Sequence, residues 1–167
     1  MDVPKINMFG DSEKEEGNSI ESPIERRHTG KGNPNAILTY GSPLNNRQQK
    51  LLDKLPEDGS ETIVNINEVN MPDLAALTAE TGVEYAMFTK GQNRLIARGN
   101  AHRVDITPER AHLLYLEGYK WSCHTHVGFD RAILTPSEGD CVILRCFDQK
   151  VSVICNSKGD FEQFVAE

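Results

Sequence analysis

His124 and His126 stand two residues apart in the run Trp121-Ser122-Cys123-His124-Thr125-His126-Val127-Gly128. On a strand, residues i and i+2 face the same way, so the two imidazoles are predicted to share a face. A carboxylate from a nearby element would complete three ligands for a divalent ion and leave a fourth position for water, the pattern of a catalytic zinc site. Downstream, Leu134-Thr135-Pro136-Ser137-Glu138-Gly139-Asp140 reads as the entry to a helix, with Ser137 as N-cap and Asp140 in the first turn. From there Asp140 can project back toward a neighbouring strand end. The predicted ligands are therefore His124, His126 and Asp140, and the predicted metal is Zn2+. Each residue also has a plainer reading: two surface histidines, a helix cap, and a first-turn acid favoured by the helix dipole.

The elements that would position these groups follow from punctuation and periodicity. Asn45 caps a short helix over 47–55 with Leu51, Leu52 and Leu55 as its apolar face, ended by Pro56 and Gly59. Ile63, Val64 and Ile66 suggest a short strand. Pro72 opens a helix over 72–81, with Leu74 and Leu77 inward and Gly82 at its stop. Segments 84–89 and 94–98 flank Lys90-Gly91-Gln92-Asn93 and read as a hairpin. Thr107 and Pro108 open a helix carrying Ala111, Leu114 and Leu116, closed by Gly118. The histidine strand spans 120–125, the Ser137 helix runs to about Phe147, and strands follow over 150–156 and 161–165. Val151, Val153 and Cys155 share one side of the first of these.

Composition limits the classes open to the chain. Its 167 residues fit one domain with a tail, and 38% apolar residues suffice for a single core. A net charge of −7 argues against nucleic acid bound through bulk electrostatics. No apolar run is long enough to span a bilayer, and the first residues lack a signal peptide's basic and apolar regions. A cytoplasmic location is therefore expected, or a place in a larger exported assembly. Cys123, Cys141, Cys146 and Cys155 read as buried free thiols. Residues 1–33 are predicted to be a disordered tail, poor in large apolar groups, with the basic cluster Arg26-Arg27-His28 as part of a linker. Residues 34–60 form an arm with the short helix, and 61–167 the domain proper, of α+β class.

The run from His124 to Asp140 resembles the signature of the JAB/MPN+ (JAMM) zinc metallopeptidases: a Glu on an early strand, then His-x-His, then Ser-x-x-Asp. The order of elements over 61–167 is also similar. The resemblance implies a JAB/MPN-like, cytidine-deaminase-like domain, with a mixed central sheet flanked by helices. It places Glu84 at the catalytic Glu and gives Ser137 an oxyanion-stabilising role. In such a site zinc activates water, Glu84 takes and returns the proton, and an amide or isopeptide bond of a peptide or protein is hydrolysed. The wider chain looks most like a bacterial and phage subgroup, found at the ends of phage minor capsid or head-morphogenesis proteins and toxin-like proteins. That likeness rests on Asn33-Pro34-Asn35-Ala36, Tyr40-Gly41, Leu44-Asn45-Asn46-Arg47-Gln48, Arg98-Gly99-Asn100, Gly118-Tyr119-Lys120-Trp121-Ser122 and Asn156-Ser157-Lys158-Gly159. It implies phage structural proteins as partners and a virion-associated location as an alternative to the cytoplasm. It also implies a second function: a catalytically inactive, metal-binding structural module. The chain departs from the family at Val127, where Pro usually follows the second His, and at Cys123, where Gly is common. It also carries thirteen residues between His126 and Asp140, a longer loop than in the isopeptidase branch.

Other groups have simpler expected roles. Glu68, Glu80 and Glu138 are rivals of Glu84 as the base. His102 and His112 are expected to be core or surface residues, Trp121 a packing anchor, and Arg98 a turn residue. A Ser122 or Cys123 nucleophile working with His124 is disfavoured, because adjacent strand residues face opposite ways. A zinc deaminase would need His-x-Glu and Pro-Cys-x-x-Cys, which the chain lacks. The acidic charge counts against a nuclease.

Overall fold

A computed structural model of the chain describes residues 43–166. The expected tail over 1–33, the start of the arm over 34–42 and residue 167 lie outside the described residues. Side-chain caps set the helix starts. Asn45 and Gln48 form a reciprocal capping box at the head of α1 (Asn46–Asp53). Asn70 and Asp73 do the same for α2 (Met71–Thr81), which ends on Gly82 in the left-handed conformation. Thr107 and Pro108 open α3 (Pro108–Glu117), and Ser137 with Asp140 opens α4 (Glu138–Cys146). The first helix stops two residues short of the expected Leu55, because a residue before proline is pushed out of the α region. Leu55 is nonetheless fully buried.

The strands are β1 (Glu61–Asn65), β2 (Tyr85–Lys90), β3 (Asn93–Arg98), β4 (Lys120–Thr125), β5 (Val151–Cys155) and β6 (Phe161–Val165). They form one mixed six-stranded sheet in the order β1-β3-β2-β4-β5-β6. All neighbours are antiparallel except β4 and β5, which α4 connects. The predicted hairpin over 84–98 is present as β2 and β3. Short 3-10 turns, Ile66–Glu68 and Arg131–Ile133, follow β1 and precede α4.

The expected single core is divided in two by the sheet. One cluster joins Leu51, Leu55, Leu74 and Leu77 of the α1/α2 side to Tyr85, Met87, Ile96 and Cys123. The other joins Ala111, Leu114, Ile143, Leu144 and Phe147 of the α3/α4 side to Ala86, Phe88, Trp121 and Ile154. Because β2 is covered on both faces, Tyr-Ala-Met-Phe is a continuous apolar run rather than an alternating one. Of the three apolar residues named along α3, Ala111 and Leu114 are buried and Leu116 is exposed; it lies about 140° around the helix from Ala111 at about 100° per residue. On β5 the residues facing the α4 core are Ser152 and Ile154, while Val151 is exposed. All four cysteines are free, but only Cys123 and Cys155 are buried; Cys141 and Cys146 are half-exposed on α4. Among the described residues, no helix is long and apolar enough to cross a membrane.

Candidate metal centre

The centre lies at the C-terminal end of β4, on the α4 face of the sheet. His124 pairs with Ala86 across β2 and with Ile154 across β5. His126, just beyond the strand, donates its backbone N–H to Cys155 O at 2.8 Å. The strand is not regular. Met87 pairs with Cys123 but Phe88 pairs with Trp121, so Ser122 is an extra residue in the ladder. This bulge turns Trp121, three residues before His124, onto the same face. Its indole stacks on the imidazole with ring centroids 4.8 Å apart, and Phe164 meets both rings edge-on. Trp121 is thus the expected packing anchor, and it fixes the plane of His124. Cys123 points into the opposite cluster, which removes it as a partner for His124.

Asp140 reaches the histidines because it is also a cap. Its Oδ2 accepts the Ser137 N–H at 2.9 Å, while Ser137 Oγ accepts the Asp140 N–H at 3.0 Å. The same Oδ2 lies 3.4 Å from His124 Nε2 and 3.5 Å from His126 Nε2, and the two Nε2 atoms are 3.2 Å apart. All three residues are 0% exposed. They form a buried group able to hold a metal ion. Four ligands at about 2.0–2.1 Å in tetrahedral array have neighbouring atoms about 3.3–3.4 Å apart. An octahedral face with the same bond lengths has edges of about 2.8–3.0 Å. The observed triangle matches the tetrahedral spacing.

The protonation pattern also suits a cation. His126 Nδ1 lies 2.6 Å from Ile133 O; a carbonyl only accepts, so Nδ1 carries the proton and Nε2 presents its lone pair. Burial lowers the His124 pKa from its ordinary 6.5, outweighing the nearby carboxylate, so this ring is neutral at neutral pH. Burial works to raise the Asp140 pKa, but attraction to both imidazoles and hydrogen bonds with them hold it well below 3.8. The Ser137 N–H and the α4 N-terminus favour the same charge. Asp140 Oδ1 is buried without a hydrogen-bond partner among the described residues. The Nε2 atoms of both rings and one carboxylate therefore converge in a dry space, an arrangement that a divalent cation would satisfy.

These shifts set a pH dependence for the metal-free fold. Between its folded pKa and 6.5, His124 binds more protons unfolded than folded, so stability falls as pH drops below about 6.5. Asp140, depressed in the fold, stabilises it above 3.8, and that contribution is lost on further acidification. Thermal melts of metal-free protein should therefore show a melting temperature that declines from pH 7.5 to 5, with a second decline below about 4. A flat profile down to pH 5 would mean that His124 is not buried in its neutral form.

Glu84 immediately precedes β2. Since Ala86 pairs with His124 in antiparallel register, continuing that register sets Glu84 opposite His126, on the same face. It is 0% exposed, whereas its rivals Glu68, Glu80 and Glu138 are exposed. Its backbone is held from the β3 side: Glu84 N donates to Asn100 O at 2.9 Å, and Gly99 N donates to Glu84 O at 2.7 Å. Gly99 is required there, because a Cβ would overlap the Arg103 carbonyl oxygen and sit 2.6 Å from Val104 Cα. Gly99→Ala should lower stability by about 1–3 kcal/mol, read from the urea midpoint; an unchanged midpoint would mean that the 99–104 loop is not packed this way. Arg98 ties the arm down, with Nη1 donating to Leu55 O at 2.8 Å and Nε to Asp58 at 3.2 Å. Both contacts serve the fold. His102 and His112 are exposed.

Two supports had no signal in residue type. The Ile133 carbonyl that orients His126 belongs to the 3-10 turn in the long 127–139 loop, and any residue could supply it. Asn156, fully buried, ties that loop to the β5–β6 turn: its Nδ2 donates to Asp130 O and to Asp160, each at 3.2 Å. Ser157 N donates to Gly128 O at 2.8 Å. Ser157-Lys158-Gly159-Asp160 reads as a turn from residue type, but the grip of this segment on the His126 loop does not. The excursion between His126 and Asp140 thus closes back on the site, as an Ω-like loop can.

No protein-family model matches this chain, and no curated protein or solved structure matches it.

Proposed function

We propose that the protein is a zinc-dependent peptidase or isopeptidase of the JAB/MPN+ type, acting on an amide bond in a peptide or protein. One observation carries the reading: three ligand atoms meet at tetrahedral spacing, and a buried glutamate, Glu84, lies two residues before Ala86, the strand partner of His124. His124, His126 and Asp140 hold the metal through Nε2, Nε2 and Oδ2. A zinc ion held there would supply Lewis acidity, activating water near neutral pH and polarising a carbonyl. Glu84 takes the proton from the attacking water and delivers it to the leaving amine. Ser137 accepts the Asp140 N–H through its oxygen, and its side chain is assigned to help hold the developing oxyanion.

A second reading is favoured by a specific observation. All three ligand residues have no exposed surface, as in a closed structural site rather than an open one. Under that reading the chain is a catalytically inactive metal-binding module of a phage particle protein. The deciding experiment is turnover of a peptide and isopeptide library by zinc-loaded protein, followed by mass spectrometry, with a chelated control. Cleavage that disappears with the metal and returns on reloading supports the peptidase. Stoichiometric zinc with no cleavage supports the structural module.

A further inference from the structure

We infer that Thr125 is a positioning residue whose hydroxyl locks the Glu84 end of β2 against the histidine strand; the inference rests on the proposed function above. Thr125 lies between the two histidines but faces the other way, into the α1/α2 side, and is 0% exposed. The last backbone pair between β2 and β4 is Ala86 with His124. At the next rung the side chain takes over: Tyr85 N donates to Thr125 Oγ1 at 2.9 Å. The same Oγ1 lies 2.6 Å from Thr78 Oγ1 of α2, itself buried. Glu84 is the residue directly beyond this bond.

The physical case turns on why a hydroxyl occupies this place. A buried strand position beside apolar neighbours suits valine, which has the same shape. A buried hydroxyl destabilises the fold unless it is hydrogen-bonded. Here it has three contacts: the Tyr85 N–H adjacent to Glu84, the Thr78 hydroxyl, and a longer one to Tyr85 O at 3.5 Å. Glu84 is thereby clamped from both sides: by Gly99 and Asn100 through its own backbone, and by Thr125 through Tyr85 N. Thr78 extends the clamp to α2, so helix, Glu84 segment and histidine strand move as one unit. The distance from the Glu84 carboxylate to the metal centre then depends on a group that touches neither.

The test uses cobalt as the spectroscopic probe in the full chain, with Thr125→Val, Thr125→Ser, Thr78→Val and Glu84→Gln. Thr125→Val should still bind one equivalent of cobalt. Its visible d–d bands should shift in the same sense as those of Glu84→Gln, with no further shift in the double variant. Thr125→Ser, which keeps the hydroxyl, should restore the wild-type spectrum. With zinc and a cleaved library peptide, kcat of Thr125→Val should fall on the order of tenfold to a hundredfold with KM unchanged. A spectrum and kcat like wild type, while Glu84→Gln shifts both, would overturn the inference and leave the peptidase reading standing. If Glu84→Gln itself changes neither, the peptidase reading fails and the inference fails with it. Should Thr125→Val not fold, Thr78→Val removes one partner only and should give a smaller shift in the same direction; no shift there also overturns it.

Discussion

His126→Ala is expected to abolish stoichiometric zinc binding, weakening it by more than about 100-fold. Loss of an outer-shell partner alone costs roughly 10–100-fold in affinity, and this change removes a ligand. His126 supplies one corner of a triangle with edges of 3.2, 3.4 and 3.5 Å. The remaining pair, His124 and Asp140, cannot enclose an ion alone. The substitution also leaves the buried Ile133 carbonyl without its donor, at a cost of about 1–3 kcal/mol. Asp140→Asn separates these effects, since an amide oxygen can still accept the Ser137 N–H while the ligand charge is lost. Native mass spectrometry and calorimetric titration read the metal; thermal melts with and without zinc read the coupling. Wild type in zinc at about 1,000 times its dissociation constant should gain about 4 kcal/mol of stability, and His126→Ala should gain none. Full zinc occupancy in His126→Ala would remove the assigned centre, and both functional readings with it.

Glu84→Gln should keep the metal and lose the reaction. The substitution preserves shape and removes the ability to take a proton, an effect of roughly 10²–10⁴ on general-base catalysis. Glu84 is not among the three residues whose donor atoms converge, so zinc stoichiometry should equal that of wild type. Glu84 is fully buried, and the amide keeps the volume of the carboxylate, so the fold should be retained and a loss of turnover read as a loss of chemistry. Loss of turnover together with loss of zinc would make Glu84 a structural residue. Retained turnover would exclude it as the base. The structural-module reading predicts identical, null turnover in both proteins, so the comparison is informative only with the wild-type rate beside it.

Much of the framework was legible because it is written in local chemistry. Asn45, Asn70, Thr107 and Ser137 cap helices wherever they precede a suitable first turn, and all four do so here. Gly82 and Gly118 stop helices because they take a left-handed conformation without a Cβ penalty. The hairpin followed from two apolar runs around a glycine-containing turn. His124 and His126 share a face by strand geometry alone, and Asp140 faces back because Ser-x-x-Asp forms a capping box. The caps, the helix stops and the hairpin's turn are each decided by residues four or fewer apart.

What tertiary structure decided involves distant segments meeting. Residue types along β4 predict strict alternation; the bulge at Ser122, which brings Trp121 beside His124, depends on pairing with β2. Glu84 was one of several acids by sequence, and burial by the Gly99–Asn100 strap distinguishes it. The proton on His126 is placed by a carbonyl seven residues on, and the loop carrying that carbonyl is tied at Asp130 and Gly128 by Asn156 and Ser157. Backbone groups are the same in every residue, so no residue type announces which carbonyl will orient a histidine. Local sequence chose the elements and the ligand types; long-range packing chose the register, the burial and the protonation on which the chemistry depends.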